Sequence, residues 1–125
     1  MGDGATRYGA NEGTTLVNNF KNFVEHNIKG YRGAINSSIG NVMISYSSIN
    51  FVPNSFNSMF MMGVLREEEG FGGFTISDYD DIIRAERMSL PRTFINLTES
   101  DAYSVMMNAG VDMFMISSHK ALITT

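Results

Sequence analysis

The sequence predicts an α/β fold built on a parallel sheet. Three short apolar runs, at residues 42–46, 73–77 and 111–115, have the length and content of strands buried on both faces. A stretch with helical spacing precedes each of them. Helix and strand therefore alternate three times along the chain, the pattern of parallel strands joined by helical crossovers.

Residues 1–15 read as a loop, because Gly2, Gly4, Gly9 and Gly13 punctuate a stretch with almost no apolar side chain. Thr14 or Thr15 is expected to cap the first helix. Leu16, Phe20, Phe23, Val24, Ile28, Tyr31 and Ile35 then recur at helical spacing. Gly30 and Gly33 weaken that helix and predict a break near His26–Gly30. Val42–Tyr46 is the first strand, and "NFVPNS" follows as a loop, with Pro53 and Asn54 as turn chemistry. The second helix lies in "SFNSMFMMGVLREEEG". Phe56, Met59, Phe60 and Val64 mark its inner face and Gly70 its stop. Gly73–Ser77 is the second strand. Residues 80–98 are mixed, with "LPRTFINLT" as a loop. "ESDAYSVMMNAG" is the third helix, ending at Gly110, and residues 111–115 form the third strand.

In parallel α/β sheets the reacting groups sit at the C-terminal ends of the strands. Tyr46 ends the first strand, Asp78 follows the second, and Ser117 to His119 follow the third. Asp78 has two readings on spacing alone: a strand-end cap, or a reacting carboxylate. Asp78, Asp80 and Asp81 resemble an Asp-x-Asp cation cluster, but the glycine and twelfth-position glutamate of a calcium loop are missing. Asp80 and Asp81 read better as solvated or helix-capping. His26 reads as a surface residue. No G-x-S-x-G elbow supports a Ser-His-Asp triad. "GFGG" and "GDGA" match neither phosphate-loop nor dinucleotide fingerprints, so neither cofactor nor metal is implied.

The bulk values narrow the classes further. A chain of 125 residues, 43% hydrophobic and 18% charged, suffices for one domain with its own core. A net charge of −4, from 9 basic and 13 acidic residues, speaks against nucleic acid as a partner. No apolar run approaches the roughly 18 residues of a membrane span. The polar N-terminus lacks the pattern of a signal peptide. The absence of cysteine excludes disulfides, thiolate catalysis and zinc–thiolate sites. The ten methionines read as flexible core filler.

Taken together, "VMISYSSIN", "LREEEGFGGFTISDYDDI" and "AGVDMFM" resemble the catalytic barrel domain of glycoside hydrolase family 3. That family, the β-glucosidases and β-glucan exohydrolases, carries a VM-x-SY-x-x-x-N strand and a helix ending LR-x-E-x-GF-x-G. A strand ending in SD plus an aromatic follows, and then AG-x-D-M-x-M. All four occur here in order. "GDGATRYGANEGTT" is similar to the loop after the family's Lys-His-Phe motif. The resemblance implies that Asp78 is the catalytic nucleophile. It implies that Tyr46 and Met43 line the sugar pocket and that Tyr79 supplies the aromatic ring, usually Trp, beside the nucleophile. It implies that Glu12 and Asp3 are acidic positions flanking the site. Phe51 departs from the family, which prefers glycine there, and is expected to narrow the pocket or reshape the loop.

The implied chemistry is retaining hydrolysis of terminal β-D-glucosyl residues from a β-glucoside or β-glucan oligosaccharide. One carboxylate attacks and a second, about 5–5.5 Å away, serves as acid/base. The nucleophile must be ionised, so its surroundings must favour charge. The resemblance further implies a partial (β/α)8 barrel over residues 1–125, holding the last three of eight strands. The family's Lys-His pair would precede Gly2, and its acid/base glutamate often sits in a second domain that these residues do not contain. A full barrel takes about 250 residues. The chain alone is therefore expected to hydrolyse little. The alternative is a non-catalytic carbohydrate-binding or remnant barrel piece.

Overall fold

Strands β2 (Asn41–Met43), β5 (Phe74–Tyr79) and β6 (Met113–Met115) form a parallel sheet in the order β2-β5-β6. This is seen in a computed structural model describing residues 2–7, 9, 12–83 and 98–117. Within this sheet each strand pairs with the sheet's preceding strand in chain order, as in successive βαβ units. The register places Met43 beside Ile76 and Ile76 beside Met113, with an irregularity before Tyr79 meets Met115. The fold class is the α/β class expected.

The strand limits differ from those read in the sequence. The first strand stops at Met43 rather than residue 46, although the Ile44 N–H still donates to Ile76 O at 2.8 Å. Beyond it, Ser45 and Ser47 turn to bond other side chains. The second strand runs on through Tyr79, so Asp78 is its penultimate residue and does not follow it. The third begins at Met113. The strands are also not buried on both faces. Met43, Phe74 and Met113 are 51%, 45% and 51% exposed. Their register places them on one face, and the helices cover the other.

That covered face is the core. Helices α1 (Phe20–Asn27) and α2 (Lys29–Asn36) break at Ile28, inside the predicted interval. Phe23, Val24 and Ile28 are buried there. Asn19 caps α1, its side chain accepting the Asn22 N–H at 2.9 Å. The threonines expected to cap it instead form β1 (Thr14–Thr15), paired parallel to β3 (Ser48–Ile49). Thr favours caps and strands alike, and here the strand partner decides. Among the described residues of 1–15, a 3-10 turn at Asp3–Ala5 precedes β1 in place of the expected loop.

The "NFVPNS" loop is a hairpin. Strand β3 pairs antiparallel with β4 (Val52–Pro53) across Asn50 and Phe51. Both turn residues have positive φ, 48° and 66°. That is the backbone of a tight hairpin turn, where glycine at the second position is favoured. Phe51 occupies it at a steric cost of about 1–2 kcal/mol, with its ring 57% exposed.

Helix α3 (Met59–Glu68) is wound as a π-helix, and Glu69 N–H bonds back to Val64 O at 2.9 Å. Phe60, Met61, Val64 and Leu65 are buried. Met59, expected on this face, is 56% exposed, and Phe56 lies in a preceding 3-10 turn. The Phe60 ring packs against Phe20, tilted by 47°, and against Phe23 in a T-shaped pair, at centroid distances of 5.6 and 5.5 Å. Gly70, with φ 71°, ends this segment as expected. Helix α4 (Glu99–Ala109) starts with a reciprocal Thr98–Asp101 capping box and stops at Gly110, φ 108°. The expected "LPRTFINLT" loop lies largely outside the described residues.

The N-terminal ends of the strands are tied by one arginine. Arg66 donates to Gly73 O at 3.0 Å and to Asp112 Oδ2 at 2.5 Å, and stands over the Phe71 ring. The same Asp112 oxygen accepts the Thr75 N–H at 2.7 Å. The Thr75 hydroxyl donates to Gly110 O at 2.6 Å. Gly73 is required here, since a Cβ would lie 2.3 Å from Gly40 O.

Candidate active site

At the opposite, C-terminal ends of the strands lies a cavity of about 410 Å³ lined by Asp3, Tyr31, Met43, Ile44, Ser45, Tyr46 and Asp78. Side chains alternate along β5. Thr75 and Ser77 are buried towards the helices, while Ile76 and Asp78 are only partly buried. The pleat therefore delivers Asp78 to the cavity. One Asp78 oxygen, Oδ1, accepts the N–H of Tyr79 at 2.7 Å. The Ser77 hydroxyl donates to Asp78 O at 2.9 Å and accepts the Met115 N–H at 2.9 Å, fixing the end of β5 against β6.

Tyr46 reaches across from the loop after β2 and donates its hydroxyl to the Tyr79 carbonyl. Asp3 arrives from the N-terminal 3-10 turn and accepts from the hydroxyls of Ser45 and Ser47. Partial burial pushes the Asp3 carboxyl up, but the hydroxyl of Ser45, then that of Ser47, help outweigh this and hold it below its usual value. Tyr31 comes from α2. Its phenol is pushed up by burial and, second, by the charge of Asp3.

Four of the six residues singled out in the sequence meet at this cavity: Asp78, Tyr46, Met43 and Asp3. Tyr79 contributes its carbonyl, while its ring is 54% exposed and outside the lining. Glu12 is exposed and likewise outside the lining. Phe51 is not among the lining residues, so its ring does not narrow the cavity. Tyr31 and Ser45 were missed. Ser45 stands beside Tyr46 inside a motif already quoted, whereas Tyr31 was read only as the inner face of a helix.

The neighbouring aspartates diverge from the cavity. Asp80, φ 53°, accepts both the N–H (2.7 Å) and the hydroxyl of Ser117, which lower its carboxyl. Asp81 is buried at the start of a helical turn. Asp80 is therefore a strap between the ends of β5 and β6 rather than simply solvated. Among the described residues no three His, Asp or Glu side chains gather as metal ligands. His26 is exposed, bonded through Nδ1 to Asn22 O. His119 lies outside the described residues.

Residues 1–124 match the Glycosyl hydrolase family 3 N terminal domain. The chain belongs to this family. A β-xylosidase of Formosa agariphila is 35% identical over 80 residues, 64% of this chain and 10% of that protein. The periplasmic β-glucosidase of Salmonella typhimurium is 33% identical over 89 residues, 71% of this chain and 11% of that protein. The chain thus spans about a tenth of the length of these curated family 3 relatives. A Listeria innocua β-glucosidase solved in complex with isofagomine superposes with a TM-score of 0.75 at 25% identity, over 90% of this chain and 15% of that one. The fold is therefore that of part of the family 3 barrel domain. Among the described residues no helix is long and apolar enough to cross a membrane.

Proposed function

We propose that this chain carries the nucleophile half of a retaining β-glycosidase site, with Asp78 as the nucleophile. The observation that carries this reading is the placement of the Asp78 carboxylate on a 410 Å³ cavity at the C-terminal ends of parallel strands. Tyr46 and Met43 are the walls against which a terminal sugar rests. Tyr79 and Glu12, outside the lining, are left to contacts with a longer oligosaccharide. The β-glucosidase and β-xylosidase relatives support a terminal β-D-glucosyl or xylosyl residue as substrate.

In the first step an Asp78 oxygen attacks the anomeric carbon. The bond from that carbon to the leaving-group oxygen breaks, and the electron pair departs with that oxygen. Water later cleaves the glycosyl ester and returns Asp78 to its ionised form. The first step needs a proton for the leaving group from an acid whose pKa is raised. Asp3, the other carboxylate on the cavity, is shifted the opposite way. The acid/base therefore lies outside the described lining residues of the cavity. The half-exposed Met43, Phe74 and Met113 support a partial barrel. β2, β5 and β6 are its last three strands, and the remaining strands cover that apolar face. By itself the chain turns over little.

The test is a 2-fluoro glucoside with a dinitrophenolate leaving group, which needs no acid to depart. Mass spectrometry of the folded chain should find one glycosyl adduct, and peptide mapping should place it on Asp78. An adduct that persists in Asp78→Asn, or none at all on folded protein, would overturn the assignment. Brisk turnover of an alkyl glucoside, whose alkoxide needs a proton to depart, would refute the need for an acid/base outside the described lining residues.

A further inference from the structure

We propose that Asp3 is a positioning residue: its carboxylate clamps the serines on either side of Tyr46 and so aims that ring into the Asp78 cavity. An acidic side chain lining a sugar-sized cavity invites a different reading, that of a direct ligand for sugar hydroxyls. Proton counting favours the clamp. Ser45 and Ser47 each carry one hydroxyl proton, and both hydroxyls lie within hydrogen-bond reach of Asp3 Oδ1, Ser47 at 2.8 Å. The serine oxygens accept as well, and the two hydroxyls lie 3.1 Å from each other. Ser45 Oγ accepts the Ser47 N–H at 3.1 Å, and Ser47 Oγ accepts the Asn54 amide at 3.1 Å. Ser47 is fully buried, so a hydroxyl left without an acceptor there would be costly.

The mechanical consequence follows from chain order. Residues 45, 46 and 47 are consecutive, and their outer two side chains are drawn to one oxygen. The turn leaves the middle side chain pointing across to β5, where its hydroxyl meets the Tyr79 carbonyl, one residue from Asp78. Asn54 fastens the loop from the hairpin side, its N–H donating to Ser47 O at 3.0 Å. Asp3 fastens it from the N-terminal turn, which is itself held by the Thr15 hydroxyl on Gly2 O at 2.8 Å. A carboxylate suits the place because it accepts two donors without offering a proton of its own, and charged acceptors make the stronger bonds.

The effect on a ligand rests on the glycosidase reading of the cavity, but the clamp does not. The experiment therefore reads both. The full chain is labelled with 13Cζ-tyrosine, and the Tyr46 resonance is assigned by its loss in Tyr46→Phe. Isofagomine is titrated in parallel. Asp3→Ala should move the Tyr46 resonance to that of a solvated phenol and leave Tyr103 unmoved. Ser45→Ala/Ser47→Ala should reproduce that shift. Asp3→Asn, whose amide oxygen still accepts, should restore much of the original signal. Isofagomine should weaken by a similar factor, about tenfold, in Asp3→Ala and in the double serine variant, equivalent to about 1.4 kcal/mol. A Tyr46 resonance unmoved in Asp3→Ala, with affinity lost there and kept in the double serine variant, would make Asp3 a ligand and overturn the proposal. If Asp3→Ala does not fold, an unmoved resonance in the double serine variant overturns it equally. If the wild-type chain binds no isofagomine, it is the sugar-site reading that fails. The tyrosine resonance still decides the role of Asp3.

Discussion

The two ends of the sheet are built from the same kinds of bond and do opposite things. At the N-terminal ends Arg66, Asp112 and Thr75 satisfy one another within a closed knot, with Gly73 and Gly110 contributing only carbonyls. At the C-terminal ends Asp3, Ser45, Ser47 and Tyr46 are just as thoroughly bonded, yet they surround a cavity into which Asp78 opens. The first network ends on itself. The second ends on a carboxylate poised beside empty space. The difference teaches that bonding density does not mark the reactive end. What marks it is a carboxylate that lines a cavity, whereas the exposed Asp112 is engaged by Arg66 and Thr75.

This contrast can be broken by substitution. The largest effect should be Asp78→Asn, which abolishes glycosyl trapping while moving the urea midpoint little, since Asp78 makes only a local bond to the Tyr79 N–H. Gly73→Ala should do the reverse. A Cβ 2.3 Å from Gly40 O forces β2 and β5 apart, at a cost of about 1–3 kcal/mol in urea unfolding. Asp112→Ala should follow at about 2 kcal/mol, because it removes a charged acceptor shared by Arg66 and Thr75. The fraction still folded should trap glycoside normally.

Acid should separate the ends more gently. The Asp3 carboxyl sits below its ordinary value of 3.8 in the fold. Between the two values the unfolded chain binds more protons, so the contribution is present above about pH 4 and fades as pH falls through the folded value. The Tyr46 signal should report that loss, and Asp3→Ala should remove the dependence. The smallest effect should be Phe51→Gly. Relief of the left-handed strain, less the entropy glycine adds to the unfolded chain, should stabilise by up to about 1 kcal/mol. Neither end of the sheet should register it.

Much of this was legible in the sequence, for identifiable reasons. The helix break at Ile28 and the stops at Gly70 and Gly110 follow from glycine and from spacing, which act locally. Asp78 and Tyr46 were legible because strand ends in parallel sheets converge, whereas Met43 was implied only by the family resemblance. The hairpin was not, because Phe51 stands where a glycine would have announced it. The Ser45–Asp3 and Ser47–Asp3 bonds span 42 and 44 residues, and serine carries no periodic signal. The open face of the sheet was implied by the partial barrel but not by strand composition, for a different reason. Met43, Phe74 and Met113 are apolar because they suit a covered environment, and composition records the environment a strand is suited to rather than the one it finds.

The adjacency of β2, β5 and β6 in chain order bears on how the protein is made. A ribosome releases these strands in the order in which they pair. Each newly emerged strand thus finds the open edge left by its predecessor, with one helical crossover to close. Within the row β2-β5-β6 no later strand has to insert between two earlier ones. The sheet grows as a row is laid, and assembly keeps pace with synthesis.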